Sequence, residues 1–277
     1  MNVDLHCHST ISDGLLTPAD LVRRAAANGT DVLALTDHDE LGGLAEARAA
    51  ATVAGLRFID GVEVSVSWDN DLTVHLVGLG VDPADTVLSA GLAQVRSGRD
   101  SRAGRMAAAL DQVGIHGAYE GALRHAGNPA LLGRSHFARY IVECGLVRDV
   151  KSVFDHWLAK DKPGYVSHEW ASLAEAIAWI RHAGGVAVLA HPGRYRIGTR
   201  ELKRLIGEFK ELGGAGIEVV SGSHDMETAR TMAQHARSFG LAASRASDFH
   251  GPNESWIDVG CMPPLPDGLH PVWHELI

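Results

Sequence analysis

Short apolar runs of β type alternate along this chain with alanine- and arginine-rich stretches of helical period, and that rhythm restricts the fold class more than any other feature of the sequence. Residues 3–8, 32–37, 57–66, 75–80, 186–191, 216–221 and 241–248 read as strands. Residues 18–28, 42–54, 173–183, 200–212 and 226–239 read as helices, the first opened by Thr17 as N-cap and Pro18 as first helical residue. Strands separated by helices predict a parallel sheet with right-handed crossovers, and six or seven such units predict an α/β barrel. From 97 to 166 the strands vanish and the sequence turns helical and basic, with Arg99, Arg102, Arg105, Arg124, Arg134, Arg139 and Arg148. This predicts a helical subdomain, 97–166, inserted as a cap over a barrel built from 1–96 and 167–277. Arginines at helical spacing, such as Arg99, Arg102 and Arg105, read as a solvated face.

Nearly every predicted strand also delivers a histidine or a carboxylate to its C-terminal end or following loop, the rim where barrel enzymes place their chemistry. The period of two puts Asp4, His6 and His8 on one face of the first strand. Later strands bring Asp37, His38 and Asp39, then Glu63, His75, His191, and finally Asp248 and His250. Independent structural histidines have no reason to share one rim, so the set predicts a metal site. Sixteen histidines point the same way, because imidazole is the commonest protein metal ligand. Imidazole and carboxylate without thiolate suit manganese, iron or zinc. The three cysteines, Cys7, Cys144 and Cys261, are too dispersed for a disulfide framework or a paired-cysteine zinc motif and fit a reducing cytoplasm, with Cys7 in the core. No apolar run approaches the roughly 20 residues that span a bilayer, and the start MNVDLHCHST lacks a leader's features. The sequence therefore predicts a soluble, unprocessed protein. A net charge of −9 excludes a global field that holds long nucleic acid by counterion release, so an anionic substrate must be met by local arginines.

The series DLHCH (4–8), SDG (12–14), TDHD (36–39), GVE (61–63), His75, AHPGR (190–194) and SDFH (247–250) resembles the amidohydrolase-like PHP (polymerase and histidinol phosphatase) family, with the motifs in the family's order. The resemblance implies a distorted (β/α)7 barrel that binds two or three divalent ions, often manganese. The implied ligands are His6, His8, Asp13, His38, Glu63, His75, His191, Asp248 and His250. Asp4 is implied to orient a histidine, with Asp37 and Asp39 in similar supporting parts. Asp13 stands where several members have histidine. GRSHFAR (133–139), KPGYV (162–166) and IEVVSGSHD (217–225) narrow the resemblance to a subgroup of short members acting on nucleoside 3′,5′-bisphosphates. These remove the 3′-phosphate, adenosine 3′,5′-bisphosphate giving AMP and phosphate, and some trim short RNA from the 5′ end. The family usually has Pro where this chain has Ser135.

Clustered divalent ions act as Lewis acids on phosphoryl oxygen and lower the pKa of bound water, so the implied hydrolysis needs no Ser or Cys nucleophile. Glu63 and Asp13 are expected at the catalytic centre, Glu63 between two ions. Arg194, directly after the His191 loop, is expected to hold the scissile phosphate with its planar fork. His224 either donates a proton to the leaving 3′-oxygen, binds phosphate, or is a plain helix N-terminal histidine beside Asp225. Arg134, His136 and Lys160 are the candidates for the second, 5′-phosphate, with Ser135 also contacting substrate. Phe137, Tyr140 and Tyr165 are candidates for stacking on the base. A histidinol-phosphate phosphatase would share the metal chemistry but has no need of the arginines in 97–166. A non-catalytic metal-binding module of the kind attached to DNA polymerases is disfavoured by the complete ligand set. Nothing in the sequence calls for an obligate protein partner.

Overall fold

In the computed structural model, which describes residues 1–69 and 72–277, the chain begins with β1 (Val3–Asp4), α1 (Pro18–Ala27), β2 (Val32–Leu35), α2 (Leu44–Ala54), β3 (Arg57–Trp68) and β4 (Leu72–Leu79). A helical stretch follows, with α3 (Thr86–Ser97), α4 (Arg99–Asp111), α5 (Ala118–Arg124), α6 (Arg134–Glu143) and α7 (Val150–Val153), the last continued by a π-turn, Phe154–Leu158. The alternation then resumes as β5 (Ala171–Ser172), α8 (Leu173–His182), β6 (Val186–Leu189), α9 (Thr199–Glu211), β7 (Gly216–Val220), α10 (Met226–Phe239) and β8 (Ala242–Arg245).

The strands pair in the order β1-β2-β3-β4-β6-β7-β8, with β5 against β3. The two ends of this path meet: Leu5 N donates to Arg245 O at 3.1 Å, His8 N to Phe249 O at 2.9 Å and Asp248 N to His6 O at 2.9 Å. The sheet is thereby curled into a nearly closed, distorted barrel. Its inner strands read VLAL, VAVL and GIEVV and are buried along almost their whole length, as expected where helices cover one face and the barrel core the other. Local signals agree with this arrangement. The Thr17 side chain accepts from Asp20 N at the head of α1, which buries Leu21, Val22 and Ala25, and Ser172 with Glu175 forms a capping box on α8.

The expected all-parallel sheet needs correction. β4 runs antiparallel to both β3 and β6, while the flanking pairs are parallel. Only residues 69–71 separate β3 from β4, and a parallel crossover needs a dozen or more. The resulting hairpin sets Ser65 opposite His75 and so puts Glu63 and His75 on neighbouring strands. The first strand is also shorter than the predicted 3–8. Regular pairing with β2 ends at Asp4, and the extension holds by single contacts, Cys7 bridging Phe249 while its carbonyl accepts Thr36 N–H. Cys7 itself is core, its thiol donating to Ala34 O at 3.1 Å.

Helices α4 to α7 pack around an apolar cluster of their own that includes Met106, Leu110, Phe137, Ile141, Val153 and Leu158. Burying a side chain of this size contributes roughly 1.5–3 kcal/mol. The buried stripe of α4, Ala103, Met106 and Leu110, begins with Arg99 and Arg102, which are buried as well. That finding corrects their reading as a solvated face. Among the described residues no helix is long and apolar enough to cross a membrane.

Candidate active site

The nine residues expected as ligands come together at the C-terminal rim of the barrel in four overlapping groups. These are His8, Asp13, His38 and His250; His6, His8 and Asp248; His6, Glu63 and His191; and His38, Glu63 and His75. Glu63 is fully buried at their centre. Its Oε1 lies 2.8 Å from His75 Nδ1, 3.0 Å from His191 Nε2 and 3.3 Å from His6 Nε2, and its Oε2 lies 2.8 Å from His38 Nδ1 and 3.3 Å from His8 Nε2. His6 Nε2 and His8 Nε2 are 3.0 Å apart, with Asp248 Oδ1 at 3.6 and 3.4 Å from them.

These donor atoms suit divalent cations by a test independent of any resemblance. His8 Nδ1, Asp13 Oδ1, His38 Nδ1 and Glu63 Oε2 are buried without a hydrogen-bond partner, although His38 Nδ1 and Glu63 Oε2 are only 2.8 Å apart. Close approach of buried polar atoms that do not pair as donor and acceptor fits a shared cation. Leaving buried polar atoms unsatisfied is otherwise costly, about 1–3 kcal/mol each. The electrostatics are those of crowded ligands. Burial lowers the His6 imidazole, but Glu63, Glu218 and Asp248 outweigh it and hold its pKa well up. Burial lowers His38 too, yet Glu63 and Asp13 carry it to about 9. Burial and the neighbouring His250 and His38 push His8 down to about 3, and burial takes His75 to about 4. Burial raises Glu63, but the facing imidazoles of His38, His75 and His6 hold it well below its usual range.

A carboxylate that was not singled out in the sequence supports this cluster. Glu218, fully buried in β7, accepts His6 Nδ1–H at 2.7 Å on Oε1 and His191 N–H at 2.7 Å on Oε2. Because a carboxylate only accepts, a proton is fixed on His6 Nδ1, and Nε2 is the nitrogen that faces the cluster and would bind a cation on giving up its own proton. The signal was present: one acid inside the apolar strand GIEVV. Glu218 also steadies His191, whose φ of 29° is a conformation that costs a non-glycine residue about 1–3 kcal/mol. Asp39 (φ 51°) and Asp248 (φ 53°) share that feature.

The supporting aspartates act differently from expectation. Asp4 touches no imidazole; it accepts Ser247 N–H at 2.8 Å and Gly260 N–H at 2.7 Å and so ties the Asp248 segment to β1. Asp37 accepts Ser9 N–H, Ser9 Oγ–H and Ser12 Oγ–H, fixing the loop that carries Asp13. Asp39 accepts Ser65 N–H and Oγ–H and pairs with Arg99.

Beside the cluster, the cleft is walled by Arg99, Arg102, Arg134, Ser135, Arg194, Phe154 and Trp170. Ser135 Oγ donates to Asp13 Oδ2 at 2.7 Å, and Arg194, 54% exposed, rests on Asp248 Oδ2 at 2.9 Å. Arg99 and Arg102 stack on Trp170 at 4.8 and 5.2 Å from the ring centroid, and Arg134 sits 5.7 Å from that of Phe154. Among the described residues neither Arg102 nor Arg134 has a carboxylate at ion-pair distance, and Arg102 donates only to Val166 O, at 3.2 Å. Burial, then Arg134 and Arg99, lowers the Arg102 pKa, and burial lowers that of Arg134.

Three predicted contacts do not line this cleft. His136 is buried at the head of α6, where Nδ1 accepts Gly133 N–H at 3.0 Å. His224 spends both ring nitrogens on backbone: Nδ1–H donates to Val219 O at 3.1 Å, and Nε2 accepts Gly193 N–H at 3.1 Å. That leaves it to hold the turn between His191 and Arg194, where a Cβ on Gly193 would meet its Nε2 at 2.9 Å. Lys160 is exposed beyond the π-turn. Of the stacking candidates, Phe137 is core and Tyr140 donates to His116 O, and neither lines the cleft; nor does Tyr165. The aromatic rings that do are Trp170 and Phe154.

Comparison with known proteins agrees with this geometry. A solved amidohydrolase from Chromobacterium violaceum, with bound sulfate and no metal, superposes with a TM-score of 0.97 at 53% identity, covering 100% of this chain and 96% of that one. The 3′,5′-nucleoside bisphosphate phosphatase of Chromobacterium violaceum is 53% identical over 275 residues, 99% of this chain and 96% of its own length. The 5′-3′ exoribonuclease Rnm of Escherichia coli is 43% identical over 272 residues, 98% of this chain and 92% of its own. The family model described as "PHP domain" matches residues 4–219, and the chain therefore belongs to the PHP domain family.

Proposed function

We propose that this protein is a metal-dependent phosphoric monoester hydrolase that removes the 3′-phosphate of nucleoside 3′,5′-bisphosphates, converting adenosine 3′,5′-bisphosphate to AMP and phosphate, and that it also trims short RNA from the 5′ end. The observation that carries this reading is the sharing of one cleft by seven of the nine clustered candidate ligands and by two guanidiniums, buried Arg102 and half-buried Arg134, that have no carboxylate partner among the described residues. A buried cation without an anion costs several kcal/mol, and a second phosphate on the substrate is the group that would satisfy Arg102 and Arg134. The relatives named as a bisphosphate phosphatase and an exoribonuclease support the same substrate class.

Divalent ions held by the nine ligands, two or three of them and manganese by preference, would polarise a phosphoryl oxygen and bring the pKa of water toward neutrality. The protein's own residues do the rest. Arg102 and Arg134 clamp the 5′-phosphate, and the stack on Trp170 keeps the Arg102 fork in one plane. Arg194, half exposed on Asp248, swings to the 3′-phosphate as it enters. Helices of 97–166 cap the cleft and bring these arginines over an otherwise acidic barrel. His224 positions the His191 turn and handles no proton.

Incubating the manganese-loaded protein with adenosine 3′,5′-bisphosphate and separating the products tests this directly. The expected products are phosphate and the 5′-monophosphate in equal amounts. Formation of adenosine 3′-monophosphate, or no phosphate release, would overturn the reading.

A further inference from the structure

Stepping outward from the cleft, cations and aromatic rings alternate. Arg134 lies 5.7 Å from the Phe154 ring centroid, and Phe154 lines the cleft. Three residues earlier on the same helical segment, Lys151 Nζ lies 5.8 Å from the ring centroid of Trp256. At about 1.5 Å rise per residue, Lys151 stands one turn, roughly 4.5 Å along the axis, beyond Phe154 and on the same side of the helix. Trp256 is 84% exposed, an unusual state for the largest apolar side chain.

The loop that carries Trp256 is tied to the catalytic cluster. Ser255 Oγ accepts His250 N–H at 2.8 Å, and Glu254 pairs with Arg139, which in turn donates to Asp13 O at 2.5 Å. The acids around the platform are engaged elsewhere. Asp149 caps Ser152 N–H, Asp155 faces Arg196 at 3.6 Å, and Glu254 is held by Arg139. Lys151 and the exposed Arg148 flank Asp149 on this segment, two cations to one acid.

We propose that Trp256 and Lys151 form a binding platform for the nucleotide that follows the scissile phosphate in a single-stranded oligoribonucleotide, Trp256 stacking on its base and Lys151 meeting its phosphate. This rests on the hydrolase reading above. In both substrates a water oxygen bonds to phosphorus, the P–O3′ bond breaks, and the water's protons are shared between the departing O3′ and the new phosphate. With a bisphosphate all three remaining phosphoryl oxygens are free. With an oligonucleotide one of them carries the next nucleotide, which must leave the cleft across its rim. The released chain keeps a 5′-phosphate and is itself the next substrate. An alternation of stacking rings and cations is what single strands bind without regard to sequence.

The test compares kcat/KM for a 5′-phosphorylated ribo-decamer and for adenosine 3′,5′-bisphosphate in the manganese-loaded wild type, Trp256→Ala, Trp256→Phe and Lys151→Ala. Stacking is worth about 1–3 kcal/mol per base, so Trp256→Ala should lose about 5- to 150-fold on the decamer and less than twofold on the bisphosphate. Trp256→Phe should recover most of the loss. Fluorescence anisotropy with a labelled decamer bearing a phosphorothioate at its first linkage gives an independent readout: Trp256→Ala should weaken binding and Lys151→Ala should lower the salt slope by about 0.7. Equal losses on both substrates, or unchanged decamer turnover and binding, would overturn the platform, as would a shift in oligomeric state with decamer binding intact. A wild type that hydrolyses neither substrate would instead defeat the hydrolase reading, and the anisotropy titration would still decide the platform.

Discussion

Replacing Glu63 with Gln is expected to abolish phosphate release, with a loss of more than about 10³-fold, while the protein stays folded. The carboxylate is buried at the centre of five imidazoles, and its two oxygens lie within 3.3 Å of all of them. An amide of the same shape removes the charge and turns an NH2 group toward nitrogens that must present lone pairs to a cation. Metal ions contribute several kcal/mol of transition-state charge stabilisation, and each 1.36 kcal/mol is about tenfold in rate. Steady-state phosphate release, metal content by mass spectrometry and the circular dichroism spectrum check this together. Near-normal turnover with full metal content would mean that Glu63 is not a ligand.

Arg102→Met combined with Arg134→Met is expected to separate the two phosphates. Arg102 is buried and Arg134 half-buried in the cleft wall, neither with a carboxylate at ion-pair distance among the described residues, and each is proposed to bond the 5′-phosphate. Hydrogen bonds to charged groups are worth about 1.5–3 kcal/mol, so each replacement should lower kcat/KM on adenosine 3′,5′-bisphosphate by about 10- to 150-fold. Adenosine 3′-monophosphate lacks the 5′-phosphate, and its turnover should change by less than about threefold. Met keeps the apolar stem and gives up the guanidinium over Trp170 or Phe154, a change common to both substrates, so the difference between them reads the 5′-phosphate contact. Parallel losses on both substrates would place these arginines at the scissile phosphate instead.

The barrel and its candidate ligands were legible because two simple periodicities coincide. Strands of period two that end in His6 and His8, Glu63 or His191 declare both the sheet and the rim at once, and the structure brings all nine expected ligands into overlapping groups. The antiparallel hairpin was missed although its signal was present, since residues 69–71 are too few for a crossover. Arg99 and Arg102 looked solvated because charge at helical spacing usually is, yet they are in register with Ala103, Met106 and Leu110, the buried stripe of α4. His224 and His136 look the same in sequence as ligand histidines. Only the fold shows that Gly193 N–H has taken His224 Nε2 and Gly133 N–H has taken His136 Nδ1. The left-handed backbones of Asp39, His191 and Asp248 could not be read at all, because they are imposed by distant partners such as Glu218 and Ser65 rather than by local sequence.

The most direct measurement of the central claim is kcat/KM of the manganese-loaded wild type on three monoesters side by side: adenosine 3′,5′-bisphosphate, adenosine 3′-monophosphate and histidinol phosphate. A cleft that couples a metal cluster to a second phosphate site should favour the bisphosphate over both others by at least about tenfold, the worth of one charged hydrogen bond. Equal or faster turnover of histidinol phosphate would contradict it.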